Sequence, residues 1–155
     1  MKKSIFRLLC FFAVLMIIVS TNTQAIAVEP RASNFIESQG SSLTRTTGTK
    51  FDIYFTVNAG QMLDEIGVFM IQLTKSTDQQ TWYREEVFYC YDYPEFLCEN
   101  ACGHAGTLTY TGTRGYYYRA NIVFYAKDGS ETERTSMYTN TIYIPLSGNG
   151  GRTNE

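Results

Sequence analysis

The sequence predicts an all-β fold, a single Greek-key β-sandwich of about seven antiparallel strands. Three observations carry this expectation. Apolar and polar residues alternate over short runs, most clearly where Phe51, Ile53, Phe55 and Val57 interleave with Asp52, Tyr54, Thr56 and Asn58. Turn residues punctuate the chain at roughly every 8–15 positions, the spacing of short strands in a sandwich. No stretch holds the helical period, and the composition is rich in aromatic residues, with 12 Tyr and 10 Phe.

Residues 1–27 read as an export signal. Lys2, Lys3 and Arg7 form a basic start, Leu8 to Val19 an apolar run, and Ala25-Ile26-Ala27 supplies small residues at a cleavage site. The apolar run is shorter than the roughly 20 residues that a membrane-crossing helix needs. Cys10 opens that run instead of closing it and follows Leu8 and Leu9, which argues against lipidation. The expected protein is thus secreted, acts outside the cell, and keeps no membrane anchor after cleavage. Residues 28–33 form a leader, 34–146 the sandwich domain, and 147–155 a flexible polar tail.

Within the domain the first strand is expected at Asn34–Leu43 and the second at Lys50–Ala59, closed by Ala59-Gly60. A bend at Met62-Leu63-Asp64-Glu65 precedes a third strand, Ile66–Lys75, apolar on both parities as for a covered central strand. Ser76–Gln80 is a polar turn, and Thr81–Cys90 returns with Arg84, Glu85 and Glu86 suited to a sheet edge. Tyr91–His104 contains Pro94 and is expected to be the longest irregular stretch. Thr107–Thr111 is a short strand, Gly112 and Gly115 form a turn, and Tyr116–Ala126 is the longest strand. Lys127-Asp128-Gly129-Ser130 is a further turn, and Met137–Leu146 closes the domain.

Charge excludes one class of partner. Removing the signal's three cations from 13 leaves ten basic against 15 acidic residues, a net charge of −5. Non-specific nucleic-acid binding needs a basic surface, so no nucleic-acid partner is expected.

The run Tyr118-Arg119-Ala120-Asn121-Ile122-Val123-Phe124-Tyr125-Ala126, with Gly115 upstream, reads Tyr-x-Ala-x-Ile-x-Phe-x-Ala. It resembles the sixth strand of fibronectin type III and other immunoglobulin-like sandwiches, where a tyrosine opens the strand and its hydroxyl bonds backbone at a corner. The likeness is architectural, since the second-strand tryptophan and the immunoglobulin cysteine pair are absent. Arg31-Ala32-Ser33-Asn34-Phe35, Met62-x-x-x-Ile66-Gly67, Thr81-Trp82 and Tyr110-x-Gly112-x-x-Gly115-x-x-Tyr118-x-Ala120 resemble an uncharacterised family of small exported proteins of Gram-positive bacteria. That resemblance implies no catalytic or binding residues.

Cys90, Cys98, Cys102 and His104 are the one cluster with chemical potential. Their spacing matches no strong zinc pattern, and neither a metal nor a cofactor is expected. Export makes a disulfide the default, Cys90–Cys102 across the mouth of the loop, with Cys98–Cys102 as the alternative and one thiol left over. A nucleophilic cysteine beside His104 wants a positive pocket, whereas Glu95 and Glu99 crowd the loop. Glu85, Glu86, Asp92 and Glu95 offer no spaced acid–base pair, and Asp128, Ser130, Glu131 and Glu133 no calcium loop. Ser76–Trp82 resembles a sialidase Asp-box, one residue short and lacking its glycine, and such a box is a folding element.

The functional expectation is a non-catalytic binding or structural module of the cell surface or surroundings. Strand alternation puts Tyr117, Arg119 and Tyr125 outward, and pairing with the last strand adds Tyr143, with Val68 and Met70 as neighbours. A protein or glycan surface is the expected partner, with self-association as the competitor. The rival readings are a small secreted hydrolase or thiol-dependent protein using the 90–104 loop, and a secreted toxin or inhibitor.

Overall fold

The computed structural model describes residues 35–146; the expected signal 1–27, leader 28–33 and tail 147–155 lie outside the described residues. Seven strands follow in order: β1 (Ile36–Arg45), β2 (Lys50–Ser76), β3 (Tyr83–Tyr89), β4 (Leu97–Thr111), β5 (Tyr117–Asp128), β6 (Glu131–Tyr138) and β7 (Ile142–Tyr143). A single 3-10 turn, Pro94–Phe96, precedes β4. Among the described residues no helix is long and apolar enough to cross a membrane.

The 27 residues of β2 organise everything else. Its first half lies between β1 and β4, with Ile53 opposite both Leu43 and Leu108. Its second half lies between β3 and β5, with Ile71 opposite Phe88 and Ile122. Both β6 and β7 then pair with β5. All pairs are antiparallel, and the seven strands form one sheet curled into a half-barrel, its concave face filled by side chains. The expected break at Ala59-Gly60 and bend at Met62–Glu65 lie inside the strand. There the ladder with β4 shifts between Asn58 and Leu63, and Leu63 returns to the core at 2% exposure. A register shift bends a strand without ending it. The second and third expected strands are therefore one.

The core is the inner parity of each strand: Phe51, Ile53, Phe55 and Val57 from β2, then Ile66, Val68, Ile71 and Leu73 beyond its bend. From β5 come Tyr118, Ala120, Ile122, Phe124 and Ala126, as its alternation predicts. At about 25 cal/mol per Å² of apolar area, this burial supplies the main force holding the curled sheet together.

Where β1 and β6 approach across the open side, side chains take the place of a ladder. The Glu133 carboxylate accepts the Phe35 N–H at 2.8 Å. The Asn140 side chain accepts the Leu43 N–H at 2.7 Å and donates to the Leu43 carbonyl at 3.0 Å. These bonds satisfy edge groups that would otherwise offer a pairing surface.

Candidate functional site

On the convex side of β5, the residues between its core positions are only half-buried: Tyr117, Arg119, Asn121, Val123 and Tyr125. The neighbouring strands extend this outer face. Asn121 lies opposite Gln72 of β2 and Tyr138 of β6, and Val123 opposite Met70 and Ser136. Arg119 lies opposite Thr74, which in turn lies opposite Arg84 of β3.

Two arginine–aromatic clusters stand on this face. In the first, the Arg119 guanidinium carbon sits 4.0 Å from the Trp82 ring centre and 4.9 Å from that of Tyr138, held between the two rings. Tyr117 and Tyr143 pack at the same end of β5, ring centres 4.7 Å apart, because β7 pairs with β5 there. In the second, Arg134 lies 3.7 Å over the Phe69 ring and 5.6 Å from that of Tyr125. Tyr89 meets Phe69 edge-on and carries Tyr91 stacked on it at 4.9 Å. Burial, and then the negative charge of the nearby Glu65 carboxylate, push the Tyr125 phenol up.

The expected tyrosine trio thus divides. Tyr117 and Tyr143 meet, and Arg119 joins their end of the face. Tyr125 shares the face but stands eight positions along the strand, roughly 26 Å away at 3.3 Å per residue. Val68 is corrected outright: it is fully buried, and a register shift between Val68 and Met70 admits Phe69 to the outer side instead. Sequence reading missed Phe69, Trp82, Arg134 and Tyr138 as members of this face. The phase of Phe69 depends on a bulge, and β6 is hard to see because its core-facing positions include Glu133 and Thr135, opposite Ala126 and Phe124.

The turn before β3 holds Trp82 in place. The Asp78 carboxylate accepts the N–H groups of Gln80 and Thr81, both at 2.8 Å, and the Ser76 hydroxyl at 2.9 Å. The Ser76 hydroxyl oxygen accepts the Gln79 N–H at 2.9 Å. The Trp82 indole N–H donates to the Gln79 carbonyl at 3.0 Å. The Asp-box-like segment is a turn that presents an indole to a guanidinium. The backbone N–H bonds from Thr81 and Gln80, then the bond from the Ser76 hydroxyl, hold the Asp78 carboxyl below its usual range. With a depressed folded pKa, this stabilisation is present above the unfolded carboxylate value near about 3.9 and is lost as pH falls through the lower folded value. Trp82 is the sole tryptophan. Its fluorescence is expected to change in one acid step below about pH 3.9, before far-UV circular dichroism changes. The step should vanish in Asp78→Asn, and an unaltered step in that variant would refute the assignment.

The cysteine segment differs from expectation. Only 90–96 is irregular; Leu97 to His104 already belongs to β4. The pairing with β2 explains this, since Cys98 lies opposite Ile66 and Ala101 opposite Leu63. Cys90, Cys98 and Cys102 are free, so neither expected disulfide is present. Cys90 donates its N–H to Phe69, while Cys102 follows the partner of Leu63. Six residues of β2 separate those levels, about 20 Å, against a limit near 7 Å between bridged Cα atoms. Cys98 and Cys102 stand four apart on one extended strand, about 13 Å. His104 donates from Nε2 to the Glu95 carbonyl at 2.9 Å. Burial pushes the Cys90 thiol up, away from the reactive thiolate. Among the described residues no group of three or more His, Cys, Asp and Glu side chains is placed to hold a metal ion.

No family model matches the chain, and no curated protein does. Among solved structures, the chain is similar to the sporulation control protein Spo0M from Bacillus subtilis, at 12% identity and a TM-score of 0.44. The likeness covers 71% of this chain and 49% of that one, so the chain spans about half the length of Spo0M.

Proposed function

We propose that the protein is an exported, non-catalytic binding module that engages a protein or glycan surface, at the cell surface or beyond it, through the outer face of β5. One observation carries this reading. Trp82, Arg119, Tyr138, Tyr117 and Tyr143 gather on a half-exposed sheet face, and Trp, Tyr and Arg are the residues that dominate binding hot spots. Ring faces and polar tips together suit contact with a surface that is partly apolar and partly wet. Export rests on the basic, apolar and small-residue order of segment 1–27. Membership of the family of small exported Gram-positive proteins belongs to the same reading and rests on the glycine–tyrosine segment Tyr110–Ala120.

An immunoglobulin-like origin of the curled sheet is part of the proposal as well. Two features support it: the Tyr118 hydroxyl accepts the Thr113 N–H at 2.7 Å beside Gly115, and the last strand, β7, pairs with β5.

The test is co-sedimentation of the secreted protein with isolated Gram-positive cell walls. Tyr143 is 38% exposed and Tyr117 half-buried, so the double variant Tyr117→Ser/Tyr143→Ser should stay folded, losing less than about 1 kcal/mol per site. It should sediment at least about tenfold less well. Full retention of wall binding, or unfolding of the variant, would overturn the proposal.

A further inference from the structure

The outer face carries more positive charge than its chain suggests. Arg119 and Arg134 are held over aromatic rings, and Arg84 stands in the same cross-strand row as Arg119, with Thr74 between them. Among the described residues, the ion pair is Lys75 with Glu85, and none of these three arginines forms one. Of the acids on this face, Asp78 is bonded within its turn, while Glu65 and Glu99 lie opposite each other on the row of Lys127, beyond that of Arg134. Three uncommitted guanidiniums on a protein of net charge −5 after signal removal form a local field opposite in sign to the whole. Planar forks fixed by stacking are prepared for carboxylate or phosphate, because little side-chain freedom is left to lose on binding.

Spacing and surroundings narrow the ligand. Arg134 lies opposite Tyr125, six positions from Arg119, so the two guanidiniums stand on rows about 20 Å apart. A small anion meets one of them; a linear polymer meets both. Between the rows lie Gln72, Asn121 and Ser136, neutral hydrogen-bonding groups that match hydroxyls, beside Met70, Val123 and Tyr138, whose apolar surface matches the C–H faces of sugar rings. The rings of Trp82 and Phe69 are occupied by guanidiniums, which leaves those faces closed to stacked nucleobases.

We propose that this face binds a linear acidic polysaccharide, whose carboxylate or phosphate groups seat on Arg84, Arg119 and Arg134 while its hydroxyls meet the strip between. The proposal rests on the binding-face reading above and names its ligand class. Affinity electrophoresis of the secreted protein tests it, with gels containing polygalacturonate, phosphomannan, neutral dextran, poly-glutamate or single-stranded DNA. One of the first two should retard the protein, and which one tells carboxylate from phosphate. Retardation should weaken with added salt and fall at least about tenfold in Arg119→Gln/Arg134→Gln, a pair of outer-face changes that leaves the core untouched.

Equal retardation by dextran, poly-glutamate or DNA would overturn the proposal. So would an unaffected double variant, or no retardation by either acidic glycan. Cell-wall co-sedimentation separates the two levels. Loss in the tyrosine variant but not in the arginine variant keeps the binding face and removes the acidic polysaccharide; no loss in either removes both.

Discussion

Replacing Tyr118 by alanine is expected to cost about 3–5 kcal/mol, a large share of the stability of a domain this size. The side chain is fully buried, from a position on β5 that lies opposite Lys75 near the end of β2. Its ring lies 5.1 Å from that of Phe51 and 6.4 Å from that of Tyr110. A Cβ on Gly112 would come within 3.0 Å of the same ring, so the wall around it is tight and cannot close over a cavity. The hydroxyl also accepts the Thr113 N–H at 2.7 Å. Tyr118→Phe keeps the packing and leaves that amide without its partner, which should cost about 1–2 kcal/mol. Urea unfolding of both variants checks the division. An alanine variant losing less than about 1 kcal/mol, or a phenylalanine variant as weak as the alanine one, would contradict it.

Gly67→Ala should be nearly as damaging, for a steric reason. A Cβ at Gly67 would stand 2.1 Å from the Phe96 carbonyl oxygen and 3.0 Å from the Leu97 Cα. Both are backbone, and Leu97 is the residue paired with Gly67 where β4 begins. No side chain can swing aside, so the start of β4 must move and Phe96, buried at 2% exposure, must leave its seat. The expected cost is about 3 kcal/mol, at the upper end for overpacking by one methyl group. Gly48 is the control. A Cβ there meets nothing within 4 Å, and its φ of +60° imposes only backbone strain, so Gly48→Ala should cost about 1 kcal/mol. Equal losses at the two sites would show that the Phe96 contact does not govern Gly67.

Legibility varied with the mechanism that sets each feature. The core of β5 is readable because Tyr118, Ala120, Ile122, Phe124 and Ala126 keep one parity without interruption. The same rule places Tyr117, Arg119 and Tyr125 outward. The described residues contain seven strands, the number expected, yet they are not the same seven. Two expected strands merge into β2, because Ala59-Gly60 bends the strand at a register shift while its neighbours carry the pairing across. Meanwhile β6 is an additional strand whose residues looked like turn and linker. It forms because the free edge of β5 needs a partner, and Thr132, Ser136 and Tyr138 tolerate solvent on their side.

The sequence by itself determined the all-β class, the inner parity of β5 and of the first half of β2, and the turn that positions Trp82. Each of these follows from side chains within a few residues of one another. Only the tertiary structure decided that the strands share one curled sheet, that the three thiols stand apart, and that two arginines lie over aromatic rings. The physical reason is common to all three. Alternation reports which face a residue takes, but partner and level along a strand are set by register. A single shift, between Val68 and Met70, exchanges a buried valine for an outward phenylalanine and gives Arg134 the ring on which it rests.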